Sequence, residues 1–196
     1  MNYTTLEDQE LIDLFIDGDE QSIKVLFGRH KSRVYTYIYL QVKDKELAED
    51  IFQDTFIKVI KSLRKGKYTE KGIFLSWVVR IAHNLIIDFF RREKHLKITS
   101  SDKTETDLFN SPKYSESNIE DRMIQNRIDQ EIRQLINELP DDQKEVILLR
   151  HYGDMSFKEI ADQTGVSINT ALGRMRYALI NLRRMIEERN LSLTLN

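Results

Sequence analysis

Ser156-Phe157-Lys158-Glu159-Ile160-Ala161-Asp162-Gln163-Thr164-Gly165-Val166-Ser167-Ile168-Asn169-Thr170 opens on a serine followed three residues later by a glutamate. That spacing is a capping box: the hydroxyl accepts from the backbone N–H of the third residue, and the carboxylate reaches back to the cap. The helix it starts runs through Ile160 and Ala161 to Gly165, where a residue without Cβ suits a tight turn. Ser167 can then cap a second helix over Ile168 to Glu188. Helix, short glycine turn, helix is a helix-turn-helix, in which the second helix lies in the major groove of DNA. Here that helix presents Asn169, Thr170, Leu172, Gly173, Arg174, Arg176 and Tyr177. Arg is the usual bidentate reader of guanine, Asn and Thr reach base edges, and Tyr can contact phosphate. An ordinary αα-hairpin has the same outline, so this stretch alone leaves both readings open.

Outward from it, helical periodicity continues. Leu47, Ile51, Thr55, Phe56, Val59 and Leu63 recur at steps of three and four and form one apolar stripe. Phe74, Trp77, Val78, Ile81, Leu85 and Phe89 form a second, which makes Trp77 a core residue rather than a stacking platform. Ile124, Ile128, Ile132, Leu135 and Leu139 form a third. Pro140 stands where a first-turn proline is tolerated, and Gly153 can close the short apolar helix that follows. No segment alternates as a strand would. Ile98 to Asn118 is rich in Ser, Thr, Asp and Asn with few large apolar residues, and reads as a flexible linker. The expected fold is all-α: two small helical domains, 1–97 and 119–196, joined by a linker over 98–118, with the helix-turn-helix in the second.

Composition agrees. The chain has 196 residues with 7 Gly and 2 Pro, which disfavours turn-heavy β architectures, and its 40% hydrophobic and 32% charged residues suit a folded protein. With no cysteine there is no disulfide, thiolate nucleophile or Cys-ligated zinc. The four histidines lack ligand-like spacing, so neither metal nor cofactor is expected. The acidic start and short apolar runs predict neither a signal peptide nor stable membrane insertion, and hence a cytoplasmic protein.

The net charge of −2 hides a segregation along the chain. The first twenty residues carry only acidic charges, whereas Lys58 to Lys97 holds an excess of about eight positive ones, of the kind that binds phosphate or simply faces water. On the Trp77 helix, Arg80, Asn84, Ile87 and Arg91 share the side away from the stripe, directly after a basic segment containing Tyr68. Cations, an aromatic and an amide together are what single-stranded DNA binding uses. On the Leu47 helix, Asp50, Gln53, Asp54 and Ile57 share the face opposite the stripe. Local chemistry does not say whether that acidic face is idle.

At this point the residues resemble a known family. Ala48-Glu49-Asp50-Ile51-Phe52-Gln53-Asp54-Thr55-Phe56-Ile57-Lys58-Val59 is similar to the polymerase-binding signature of sigma factors of the sigma-70 class, extracytoplasmic-function group. Phe74, Trp77, Ile81, Ala82 and Asn84, with Asp88 and Arg91-Arg92 following, resemble the segment that melts and reads the −10 element. Leu139-Pro140, Leu149, Tyr152, Ser156, Glu159-Ile160-Ala161, Gly165 and Ser167 resemble the domain that reads the −35 element.

The resemblance implies that Asp50, Gln53, Asp54, Phe56 and Ile57 contact the clamp coiled coil of core RNA polymerase. It implies that Lys67, Tyr68, Arg80, Asn84, Arg91 and Arg92 engage single-stranded −10 DNA, and that Lys158, Ser167, Asn169, Thr170, Leu172, Gly173, Arg174, Arg176 and Tyr177 engage −35 duplex. It also implies a second contact, on the polymerase flap, and an anti-sigma factor as regulator. The recognition helix departs from the family pattern: where most relatives have Val, a basic residue and Ser, this chain has Ala171-Leu172-Gly173, which implies either an atypical −35 sequence or one read more through shape and phosphates than by base hydrogen bonds. The rival readings are a free-standing helix-turn-helix regulator, a helical adaptor and an enzyme. The first leaves the amino-terminal signature unexplained. An enzyme would need clustered carboxylates or a His with an orienting acid, and only His83 near Asp88 approaches that.

Overall fold

The computed structural model describes residues 2–69, 73–99 and 130–191, and all regular structure among them is helical. After a 3₁₀ turn at Tyr3–Thr5 come α1 (Asp8–Ile16), α2 (Glu20–Val42), α3 (Lys45–Arg64) and α4 (Phe74–Thr99). A helix α5, described over 130–137, precedes α6 (Asp141–His151), α7 (Phe157–Thr164) and α8 (Ile168–Glu188). Ile124, Ile128 and linker residues 100–118 lie outside the described residues; Ile132, Leu135 and Leu139 continue the expected stripe, with Leu135 and Leu139 buried.

Polar caps start the helices. The Asp19 carboxylate accepts from the Gln21 N–H at 2.9 Å and Asp44 from the Leu47 N–H at 2.8 Å, each satisfying a donor that the first helical turn leaves unpaired. In the first module α2 packs against α1, α3 and α4 around Leu11, Leu26, Val34, Ile38, Val59, Leu63 and Phe74. The α3 stripe is buried from Ile51 to Leu63 as its spacing predicts, with Leu47 half-buried at its start, and the Thr55 hydroxyl, facing the core, donates to the Ile51 carbonyl at 2.7 Å. Asp8 ties α1 to α2, with His30 Nε2 2.6 Å and Arg29 Nη1 3.0 Å from its carboxylate. The second module packs α6 and α7 against α8 around Val146, Leu148, Leu149, Met155, Ile160, Ala171 and Ala178.

Helix α4 departs from the one-stripe expectation. Phe74 and Val78 are buried, but Trp77, Ile81, Leu85 and Phe89 are only half-buried, while Val79, Ala82, His83 and Ile86 are closed off. The second module covers a neighbouring strip of the same helix. His83 shows the consequence: its Nδ1 is 2.8 Å from the Tyr37 hydroxyl of α2 and its Nε2 is 3.8 Å from Glu145 of α6. Burial pushes the His83 pKa below its ordinary value and that of Glu145 above its own.

Two glycines play opposite parts. Gly153 follows α6, but its φ is not left-handed; that conformation falls to Asp154, at φ 56°. Gly153 is instead required by proximity, because a Cβ there would lie 2.7 Å from the Leu149 carbonyl oxygen and 3.1 Å from Val79 Cγ1 of α4. Gly173, inside α8, has open space where a Cβ would stand. Gly153→Ala is therefore expected to destabilise the protein by about 1–3 kcal/mol through overpacking. Gly173→Ala should stabilise it by about 0.5–1 kcal/mol through lost unfolded-chain entropy. Thermal unfolding of the two variants checks the opposite signs.

Acid stability provides a separate check. The His30 hydrogen bond, with Arg29 adding to it, holds the Asp8 carboxyl below 3.8 despite the upward push of burial. A depressed carboxyl stabilises the fold above its unfolded pKa, and the contribution disappears as pH falls through the folded value. Below about pH 4 the native melting temperature should fall more steeply than that of Asp8→Asn, and parallel curves would show that Asp8 contributes nothing.

Candidate polymerase and nucleic-acid interfaces

Three surfaces carry the residues singled out from the sequence. On α3, Asp50, Gln53, Asp54 and Ile57 occupy successive turns and are exposed, Ile57 to 47%. Helical spacing places them together because the opposite side of α3 is committed to the core. Phe56 corrects the expected contact set. It is 8% exposed and turned inward, its ring 4.1 Å from that of Phe27 and 4.7 Å from that of Phe52. It anchors the helix from beneath, as its place on the apolar stripe requires. What remains outside is an acidic patch with one apolar edge.

The second surface runs from the segment before α4 along the helix. Lys67 is exposed, and the half-buried Tyr68 ring lies 4.8 Å from Trp77 and 6.1 Å from Phe74. Trp77 thus packs within an aromatic cluster at the edge of the core. Farther along, Arg91 and Arg92 are exposed, and Arg91 pairs with Asp88 at 2.7 Å.

Between these ends, Arg80 and Asn84 are engaged by the second module. Arg80 Nη2 lies 3.5 Å from Glu159 Oε1, the Ser76 hydroxyl donates to that same oxygen at 3.3 Å, and the Gln163 amide donates to Asn84 Oδ1 at 2.9 Å. Reading the sequence missed Ser76, Glu159 and Gln163 here; the capping box identified Glu159 only in its local role. It fills that role with Oε2, which accepts from the Ser156 N–H at 2.8 Å and hydroxyl at 2.7 Å. Against the upward push of partial burial, Ser156, Ser76 and Arg80 together hold the Glu159 carboxyl below 4.5.

The third surface is the helix-turn-helix, which forms as its sequence predicts. Glu159 closes the capping box, Gly165 ends α7 at φ 68°, and the Ser167 hydroxyl accepts from the Thr170 N–H at 3.1 Å. Ser167 is thereby occupied as a cap, and its hydroxyl also lies 2.9 Å from that of Thr170. Lys158, Asn169, Thr170, Leu172, Arg176 and Tyr177 are exposed, Tyr177 to 62%, and Gly173 is half-buried. Arg174 is drawn toward α6, its Nε 3.2 Å from Asp142, so its guanidinium is partly engaged within the domain. Farther along α8, Leu172, Leu179, Ile180 and Met175 line a shallow apolar groove with Phe157, edged by Arg176 and Arg183.

Among the described residues, no group of three His, Asp or Glu side chains could hold a metal ion, and no helix is long and apolar enough to cross a membrane. Residues 26–96, spanning most of α2 through α4, match Sigma-70 region 2, and residues 129–177, containing the helix-turn-helix, match Sigma-70 region 4. The chain is 28% identical over 178 residues to the RNA polymerase sigma factor CarQ of Myxococcus xanthus, across 90% of this chain and 96% of that protein. It is 25% identical over 174 residues to the extracytoplasmic-function RNA polymerase sigma factor SigW of Bacillus subtilis, covering 87% and 92%.

Two solved structures share the fold. One is CnrH in complex with the cytosolic domain of CnrY, with a TM-score of 0.59 and 20% identity over 92% of this chain and 97% of that one. The other is the sigma factor RpoE in complex with the anti-sigma factor NepR from Bartonella quintana, with a TM-score of 0.61 and 18% identity over 85% and 98%. Region 2 and region 4 follow one another in this chain, and the two relatives named match along nearly their whole length. A free-standing helix-turn-helix regulator would not carry the first region. The chain belongs to the sigma-70 class of RNA polymerase sigma factors, in the extracytoplasmic-function group, and it directs polymerase to promoters.

Proposed function

We propose that this sigma factor divides promoter recognition among its three surfaces, with residues 1–97 acting as region 2, 98–118 as linker and 119–196 as region 4. Asp50, Gln53, Asp54 and Ile57 on α3 dock on the clamp coiled coil of core polymerase. The observation that carries this reading is the pairing, within one compact module, of that exposed acidic strip with the basic, amide-bearing face of α4. Lys67, before α4, and Arg80, Arg91 and Arg92 on it hold the backbone of the melted −10 strand, while Tyr68 and Asn84 receive a base turned out of the duplex. Unpairing costs a few kcal/mol per base, and capture of the extruded base offsets part of it, so opening proceeds on binding energy with no catalytic step.

Region 4 docks on −35 duplex through the start of α8. Asn169, Thr170, Arg176 and Tyr177 supply polar contacts and Lys158 supplies charge from α7. Leu172 and Gly173 present a smooth surface on which shape is read more than base edges. Arg174 joins them by exchanging Asp142 for phosphate. The apolar groove along α8 suits the polymerase flap. The solved neighbour RpoE in complex with the anti-sigma factor NepR supports an anti-sigma factor as a further protein partner, and the protein works in the cytoplasm, where polymerase is.

Run-off transcription with purified core RNA polymerase on promoter fragments from the protein's own genome tests this division. Asp50→Arg should abolish specific transcripts by reversing charge at the clamp contact. Asn84→Ala should leave core binding intact and reduce promoter opening on the order of tenfold, the loss of one base-edge contact of about 1–3 kcal/mol. Undiminished transcription by Asp50→Arg would overturn the clamp assignment, and undiminished opening by Asn84→Ala would remove Asn84 from the reading pocket.

A further inference from the structure

Tyr68 has no helix to aim it. It follows Gly66, left-handed at φ 62° just past α3, and precedes α4, so the direction of its ring is set by what packs against it. That ring lies 4.8 Å from Trp77 and 6.1 Å from Phe74, which are themselves 6.0 Å apart, so the three close an aromatic triangle. Phe74, 2% exposed, is its buried corner, and the His30 ring of α2 packs on Phe74 at 5.5 Å with the planes 54° apart. His30 is held in turn by α1: its Nε2 donates to Asp8 Oδ2 at 2.6 Å, since an ionised carboxylate can only accept.

We propose that Asp8 and His30 form a positioning pair for −10 recognition: through Phe74 they hold the Tyr68 ring in the orientation that receives a base. This rests on the assignment of Tyr68 as a base receiver and adds to it the residues that set its ring, one of them in an amino-terminal segment with no assigned contact to polymerase or DNA. All the contacts involved lie within the first module.

Asp8 is anchored on its own account. The capping box of Glu7 and Glu10 starts α1 around it, with the Glu7 N–H donating to Glu10 Oε2 at 2.7 Å, and Arg29 Nη1 lies 3.0 Å from its other oxygen. Arg29 also donates through Nη2 to the carbonyls of Tyr3 at 2.9 Å and Thr4 at 3.2 Å, which straps the chain ahead of α1 to α2. The His30 bond is the largest reason that the Asp8 carboxyl lies below its ordinary value, as a charge-assisted contact should be.

Arg29 already joins Asp8 to α2, so His30 is not needed for that tie. What His30 adds is a ring. An imidazole rotates in a broad torsional well by itself, and the bond to Asp8 confines it, so that Phe74 meets a constant face. A tyrosine ordered in advance through that contact gives up its rotamer freedom on folding rather than on binding, which leaves more of the stacking energy for capture of the base.

The experiment measures opening with the full chain bound to core polymerase, by permanganate reactivity of unpaired thymines on a promoter that run-off transcription identifies. Trp77, the chain's one tryptophan and the neighbour of Tyr68, gives a second readout in the free protein. Asp8→Ala should shift its emission to the red, as a loosened Tyr68 ring lets water reach the indole. It should also reduce opening roughly threefold, part of the about tenfold that Tyr68→Ala loses with the base–aromatic contact. Asp8→Asn, whose amide oxygen still accepts from His30, should match the parent in both readouts. His30→Leu keeps an apolar side chain against Phe74 without the bond and should reproduce Asp8→Ala. Affinity for core polymerase, which depends on the α3 face, should be the same for every variant and shows that each is folded.

In the Tyr68→Ala background, Asp8→Ala should reduce opening no further, because a pair that acts through a ring has nothing left to position. An equal loss in both backgrounds would overturn the proposal in favour of a general effect on the fold. Parental opening and emission in Asp8→Ala and His30→Leu would overturn it as well. Undiminished opening by Tyr68→Ala removes Tyr68 as the base receiver, whereas a Trp77 shift present in Asp8→Ala and absent in Asp8→Asn would still uphold the pair as the support of its ring, so the two failures are told apart.

Discussion

Helix α4 buries two adjoining strips of its circumference, and the arrangement of the two modules depends on that. One strip, with Phe74 and Val78, closes the core of region 2. The other, with Ser76, Val79 and His83, lies under α6 and α7. The Tyr37 hydroxyl, 2.8 Å from His83 Nδ1, binds the second strip to the first module, while Glu145 approaches the same ring from the other side. A helix buried on two sides presents little free surface, so residues at its margin, Arg80 and Asn84 among them, are shared between solvent and the second module.

Helix α3 is organised differently. Its stripe from Ile51 to Leu63 faces only the core of region 2, and the remaining circumference carries polar groups. Phe56, wedged between Phe27 and Phe52, fixes the rotation of the helix and so determines which residues point outward. The exposed strip owes its regularity to this rigid support: Asp50, Gln53, Asp54 and Ile57 need no other module to position them. One domain thus carries an acidic face that is exposed and a basic face that is partly in contact with the second domain.

Much of this was legible in the sequence. The capping box at Ser156, the left-handed turn at Gly165, the cap at Ser167 and the α3 stripe all appear where residue types and spacing place them. The role of Gly153 was legible only in part: a glycine after a short helix suggests a left-handed cap, whereas the actual requirement is room beside the Leu149 carbonyl oxygen, 2.7 Å from where a Cβ would stand, with Val79 of α4 adding a tight contact from far away in the chain. The α4 stripe was drawn about one strip away from its true centre for the same reason, since a period of 3.6 residues locates an apolar side but does not say that a second module will cover the next one.

Residue pattern was enough for the all-helical character, the two regions, the helix-turn-helix and the family. Those properties rest on signals that act within one or two turns of chain, or on motifs whose order along the chain is itself informative. Only tertiary structure decided that Phe56 is a buried anchor, that Arg174 leans on Asp142, and that Ser76, Arg80 and Asn84 meet Glu159 and Gln163. The physical reason is that each of these contacts joins groups far apart in the chain and no local propensity depends on them. They form because packing brings two helices together, and they are specified by the shape of both modules.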